Sequence, residues 1–219
     1  MPAEPDPIRV LTTARYSYAE ADHLAGVSRG TTRRWLQGGA LVVRPGVVLR
    51  VGGAGAVSFI NLVEIAAVGR LREQGFSLRV LRDVVDNCQS LLGVEHPFVT
   101  LKFKAGGHQP FVDSATRAPE IGKRKAQLAW SGVLEPFFQQ LDYSSNVAIR
   151  WWPVGRECPV VIDPAYGFGL PVVAGSGVRT EILLERFQAG DLSAQIAQDF
   201  NLDPVQVERA LQFELARAA

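Results

Sequence analysis

A chain that must turn sharply between two helices leaves a short signature, and this one carries it in HLAGVSRGTTRRWLQGG, residues 23–39. Residues 18–25 read as one short helix. Gly26 supplies a position where positive φ costs little. Ser28 is a good N-cap for a second helix over residues 29–37, and Gly38-Gly39 ends it. Two short helices around a three-residue, glycine-containing corner have the pattern of a helix-turn-helix. The next stretch, ALVVRPGVVLRVGG, sets two β-branched runs around Arg44-Pro45-Gly46. It predicts a hairpin, and a hairpin directly after such a helix pair is a wing.

The corner is also where positive charge collects. The net charge is only +1 over 219 residues, yet residues 8–50 hold seven arginines against Glu20 and Asp22. Residues 156–219 hold five basic and nine acidic side chains. A recognition helix reaches base edges with its N-terminal half and holds phosphates with its flanks. Ser28 and Thr31 are candidate phosphate donors. Arg29, Thr32 and Arg33 fall where base edges would be, and arginine pairs bidentately with guanine. Arg34 and Trp35 suit phosphate contact or packing, and Arg44 and Arg50 belong to the wing. Corner, cap, basic helix and hairpin in this order predict binding to double-stranded DNA.

The fold class expected is α+β, mainly helical. A winged helix-turn-helix over residues 8–97 would be followed by a small β-containing segment over 98–158 and a helical module over 159–219. Residues 58–93 read as two amphipathic helices. Ser58 would cap the first (Leu62, Ile65, Ala66, Leu71) and Ser77 the second (Leu78, Leu81, Val84, Val85, Leu91). Residues 97–115 switch to strand-like patterning, in which Val99, Leu101 and Phe103 alternate with Thr100, Lys102 and Lys104. All four lysines fall within residues 102–125, and the 105–125 stretch reads as a linker or exposed loop. A helix is expected over 125–141, then strands over 146–152 and 159–162. On such a strand Trp151 and Trp152 point to opposite faces, one into the core.

The last part repeats the opening device. Thr180 would cap a helix that Gly190 stops, and residues 193–200 form the next. Asn201-Leu202-Asp203 then occupies the place of Gly26-Val27-Ser28, with Pro204 in the favoured first position and Gln206 completing a capping box. Here Glu208 cancels Arg209, and Asp191, Asp199 and Asp203 surround the helix. Phosphate repulsion opposes DNA docking, so a protein-binding or core-forming role is expected.

Other classes find no support. No apolar run reaches the roughly 18 residues of a membrane span, and the N-terminus lacks the pattern of a signal peptide. The expectation is a cytoplasmic protein with Cys88 and Cys158 as reduced, inert thiols. His23, His96 and His108 are isolated in sequence. With no catalytic constellation, no cofactor motif and no metal-ligand spacing, neither an enzyme nor a metalloprotein is expected.

The order of residues resembles known families. YAEADHLAGVSRGTTRRWLQGG, the hairpin, and SFINLVEIAAVGRLREQGFSLRVLRDVVD together resemble the N-terminal region of MerR-type regulators. The metal-ligating cysteines usual there are missing. Residues 160–214 are similar to the helical module called domain of unknown function 433. Asp163-Pro164, Phe168-Gly169, Pro171-Val172, Gly175, Gly177 and Gly190 carry that likeness, although Gly175-Ser176-Gly177 stands where Gly-Thr-Arg is usual. Such modules are typical of antitoxins encoded beside a PIN-like ribonuclease, so the combination resembles a VapB-type antitoxin. The resemblance implies a homodimer, operator DNA as a partner, autorepression, and a PIN-like ribonuclease toxin as the second partner. Candidate toxin contacts are Lys102, Lys104, Lys123, Arg124 and Lys125, which suit an acidic nuclease site, with Trp151 and Trp152 as anchors. The acidic C-terminal unit could instead cover a basic RNA groove. The competing reading is a one-component transcriptional regulator whose residues 101–219 bind a ligand or another protein.

Overall fold

The computed structural model describes residues 7–37 and 56–218. The chain divides into two compact units, Met1–Ala148 and Ile149–Ala219. The architecture is α+β and mostly helical, with small antiparallel sheets. The predicted hairpin, with Arg44 and Arg50, lies outside the described residues.

Unit 1 opens with α1 (Pro7–Thr12), β1 (Tyr16–Ser17), α2 (Tyr18–Ala25) and α3 (Thr31–Gln37), followed by β2 (Ala56–Val57). β1 and β2 pair antiparallel, Tyr16 opposite Val57. Two longer helices follow, α4 (Phe59–Glu73) and α5 (Leu78–Leu92). Their caps are the expected serines: Ser58 Oγ accepts the Asn61 N–H and Ser77 Oγ accepts the Val80 N–H. α5 is amphipathic, burying Val80, Leu81, Val84, Val85 and Cys88. α4 is not. Every residue from Phe59 to Gly69 is buried, as is Leu71. Its run FINLVEIAAVG holds only Asn61 and Glu64 as polar side chains, and a helix apolar on every face is buried on every face. It packs on α1 and α2 and on the turn at Pro97–Val99.

The strand-like patterning expected over residues 97–115 forms no strand. Pro97–Val99 makes a 3-10 turn, and α6 (Leu101–Gly106) and α7 (His108–Ala115) follow. Thr100 decides this locally, because its hydroxyl accepts the Phe103 N–H and caps α6. Phe103 then enters an aromatic cluster with Phe98, Trp130 and Phe138, at centroid distances of 5.3–5.9 Å. Leu101, on the apolar side of the expected alternation, is exposed together with Lys102 and Lys104. Nor is the 105–125 stretch a loop throughout: α7 packs on α5 and buries Phe111 and Val112, and Ile121 is buried beyond it.

The helix expected over 125–141 is observed as α8 (Lys123–Ala129), a π turn (Trp130–Leu134) and α9 (Glu135–Gln139). Pro136 has no N–H to return to the turn before it, and the helix widens there. β3 (Leu141–Ser144) and β4 (Val147–Trp151) follow. Ser145 and Asn146 both take positive φ, 48° and 74°, the requirement of a tight two-residue hairpin.

In unit 2, the end of β4 pairs with β5 (Val160–Ile162), Trp151 opposite Ile162. β5 pairs antiparallel with β6 (Pro171–Val173), Val161 opposite Val172. Three helices complete it, α10 (Thr180–Gln188), α11 (Ser193–Phe200) and α12 (Pro204–Ala218). Their shared core with the strands includes Val160, Val173, Leu183, Ile196, Val207, Leu211 and Phe213. Thr180 is not a cap, because Arg179 takes that position. The buried Thr180 hydroxyl instead donates to the Glu214 carboxylate of α12.

Candidate functional site

The α2–α3 corner closes with two backbone bonds. Gly26 is left-handed at φ 69°, and the Val27 N–H returns to the Asp22 carbonyl at 2.9 Å. The second corner closes the same way: Asn201 has φ 51°, and the Leu202 N–H returns to the Ala197 carbonyl at 2.8 Å. Both are Schellman-type helix ends. Beyond the corner the two differ. Asp203 caps α12 directly, accepting the Val205 N–H while the Gln206 side chain accepts the Asp203 N–H.

Ser28 does not cap α3 as expected. Gly30, at φ 81°, breaks the backbone and delays the helix to Thr31. The orphan N–H groups at the start of α3 are met by Asp22 of α2. One carboxylate oxygen accepts from Gly30 N and the other from Thr32 N, both at 2.6 Å. Asp22 is buried, so these charge-assisted bonds act with little competition from water.

The helix sorts its predicted contact residues by exposure. Ser28, Arg29, Arg33 and Arg34 are exposed, whereas Thr31, Thr32 and Trp35 are buried. The Ser28 and Thr31 hydroxyls lie 3.1 Å apart, and the Arg34 guanidinium donates to Thr31 Oγ1 at 3.0 Å. A cleft of about 440 Å³ runs beside them, lined also by Trp35, Arg72 and Glu73.

The basic residues of the 102–125 stretch do not form one patch of projecting charges. Lys102 Nζ donates to the Leu92 carbonyl at 3.2 Å, and Lys104 lies over the Tyr143 ring. Lys125 Nζ donates to the Gly75 carbonyl at 3.4 Å and lies over Phe76. Lys123 and Arg124 are exposed at the start of α8. Trp151 is fully buried, while Trp152 is half-buried with Arg156 over its ring at 5.1 Å.

Two polar features of the interior were not legible in the sequence. Glu64 of α4 is wholly buried, with one carboxylate oxygen 3.2 Å from His96 Nδ1. Burial raises its pKa, against the opposing pull of His96. In unit 2 Arg150 Nε lies 2.5 Å from the buried Asp163 carboxylate. Burial also pushes the Cys88 thiol up to about 12, so it carries no thiolate at neutral pH. Among the described residues no three His, Cys, Asp or Glu side chains come together to hold a metal, and no helix is long and apolar enough to cross a membrane.

Comparison with known proteins bears first on unit 2. Residues 160–213 match the family described as "Protein of unknown function (DUF433)". Over almost its whole length the chain is similar to the "Putative antitoxin VapB45" of Mycobacterium tuberculosis, with 24% identity over 220 residues. That alignment takes in 90% of this chain and 92% of the relative. It is also 22% identical to the "Uncharacterized protein Rv2308" of the same organism, over 90% of this chain and 89% of that one. The crystal structure of Rv2018 from M. tuberculosis has the same fold. It superposes with a TM-score of 0.76 at 23% identity, covering 92% of this chain and all of that one.

Proposed function

We propose that the chain is the antitoxin of a type II toxin–antitoxin system. It neutralises a PIN-like ribonuclease by direct binding and represses its own operon as a DNA-bound homodimer in the cytoplasm. The observation that carries this reading is the similarity to the "Putative antitoxin VapB45" over 90% of the chain. The match of residues 160–213 to DUF433 adds to it.

In this reading α2, the corner and α3 are a helix-turn-helix, and residues 8–97 are the DNA-binding region. Ser28, Arg29, Arg33 and Arg34 face the duplex. Thr31, Thr32 and Trp35 hold the helix from beneath, as their burial requires. Arg44 and Arg50, outside the described residues, are assigned to the same DNA contact. Lys123 and Arg124, exposed on α8, are the basic groups best placed to meet the carboxylates of a metal-dependent nuclease, and the half-buried Trp152 is the aromatic anchor.

The test is purification of the tagged chain from its native cells at moderate salt, with mass spectrometry of what co-elutes. The expected result is a small PIN-like protein in stoichiometric amount. A chain that elutes alone, yet binds its own promoter, would replace the antitoxin with a ligand-responsive regulator.

A further inference from the structure

Unit 2 holds a cavity of about 310 Å³, walled by Arg150, Trp152, Asp163 and Tyr166 over the buried Val161 and Val172. That volume lies at the lower end of small-molecule sites, roughly 300–1,000 Å³, and suits a metabolite. Gly175 and Gly177 also border it. A Cβ on either would meet nothing within 4 Å, so that wall leaves the space open.

The polar part of the wall is one ion pair. The Asp163 side chain is only 7% exposed, and its Oδ2 lies 2.5 Å from Arg150 Nε. Oδ1 accepts the Ala165 N–H at 2.9 Å. A carboxylate has about four acceptor positions, and among the described residues Asp163 uses two. A buried carboxylate so sparsely bonded, at the edge of a cavity, calls for a further N–H donor. Arg150 beside it, 44% exposed, calls for the opposite, an acceptor that suits a guanidinium. A purely cationic ligand is repelled by Arg150, and a purely anionic one by Asp163. A ligand carrying both charges a few ångströms apart suits both. An ammonium and a carboxylate on one carbon have that spacing. The rest of the rim does not shift the balance. Arg156 lies over the Trp152 ring at 5.1 Å, with the exposed Glu157 next in the chain, and Arg179 is paired with Glu181. The aromatic walls and the valine floor leave room for an apolar side chain.

We propose that this cavity binds an apolar α-amino acid, its carboxylate on Arg150 and its ammonium on Asp163. The bound ligand covers Trp152, the ring that the proposed toxin contact uses, so ligand and ribonuclease compete. That competition, unlike the site, rests on the antitoxin reading. The test is isothermal titration calorimetry of the full chain with three probes: L-leucine, 3-methylbutylamine, which lacks the carboxylate, and 4-methylpentanoate, which lacks the ammonium. The expected result is one L-leucine per chain, with each analogue at least about tenfold weaker. Arg150→Gln combined with Asp163→Asn removes both charges and keeps a donor beside an acceptor. Its thermal midpoint is expected to hold while L-leucine binding is lost. No binding of L-leucine at millimolar concentration overturns the proposal. So does an analogue that binds as tightly as L-leucine, or a folded double variant that binds it like the wild type. Saturating L-leucine is also expected to release the co-purified ribonuclease. A ribonuclease that stays on the leucine-loaded chain overturns the competition and keeps the site. A chain that binds L-leucine but has no ribonuclease partner keeps the site and overturns the antitoxin reading.

Discussion

The carboxylate of Asp22 accepts the Thr32 N–H at 2.6 Å, joining the last turns of α2 to the first turn of α3. Its second oxygen takes the Gly30 N–H, so one buried acid fixes the angle at which the basic helix leaves the corner. Replacing Asp22 with Ala leaves the buried Thr32 N–H and the half-buried Gly30 N–H without their carboxylate partner. Hydrogen bonds to a charged group contribute about 1.5–3 kcal/mol, and a loss in that range is expected in chemical denaturation. An unchanged midpoint would show that α3 is held by packing alone.

Exposure separates the residues of α3 into two kinds, and DNA affinity should do the same. Arg33→Ala is expected to cost about 1–3 kcal/mol on the cognate promoter and to relax sequence preference. An equal loss on every duplex would make Arg33 a phosphate contact. Thr32→Val should leave affinity intact, because Thr32 is fully buried and its hydroxyl has no hydrogen-bond partner among the described residues. Removing an unsatisfied buried hydroxyl is neutral or stabilising. A clear loss of DNA binding in Thr32→Val would contradict the placement of α3.

Gly69 of α4 passes so close to the corner that an added Cβ would meet Val27 Cγ1 at 2.7 Å. Valine is short and stiff at χ1, so it cannot swing aside cheaply. Gly69→Ala gains helix propensity but overpacks the seat of the corner, and a net destabilisation of about 1–3 kcal/mol is expected. A thermal midpoint above that of the wild type would mean the corner yields.

Glu64 gives unit 1 a pH dependence with a definite sign. Burial holds its folded-state pKa above the ordinary glutamate value of 4.5, so the folded state binds the proton more tightly than the unfolded chain. The stability this adds is present below 4.5 and is lost as pH rises through the raised value. Glu64→Gln keeps the neutral shape without the titration. Relative to it, the wild type should lose thermal stability steadily from pH 4.5 upward. A constant difference between the two proteins across pH 4.5–8 would show that Glu64 does not titrate there.

What could be read from the sequence was local. Gly26 and Asn201 announce left-handed helix ends, and Ser58, Ser77 and Asp203 are caps because each bonds within its own turn. What could not be read depends on partners far along the chain. Asp22 reaches Thr32 across the corner, Thr180 turns from capping to bond Glu214, and Lys125 folds onto Phe76. The alternation from Val99 to Lys104 mimics a strand, but tertiary burial of Phe103 and the Thr100 cap prevail over so short a pattern. Among the candidate contacts, exposed Arg29, Arg33 and Arg34 follow from composition. The burial of Thr31, Thr32 and Trp35 follows only from packing on the rest of unit 1.

The measurement closest to the central claim is inhibition of the nuclease itself. The co-eluting ribonuclease, separated under denaturing conditions and refolded, would be titrated with the purified chain while cleavage of an RNA substrate is followed. The account predicts that activity falls linearly to zero at a fixed stoichiometric ratio, and that Lys123→Glu with Arg124→Glu weakens the block. Full ribonuclease activity in the presence of excess chain would contradict it.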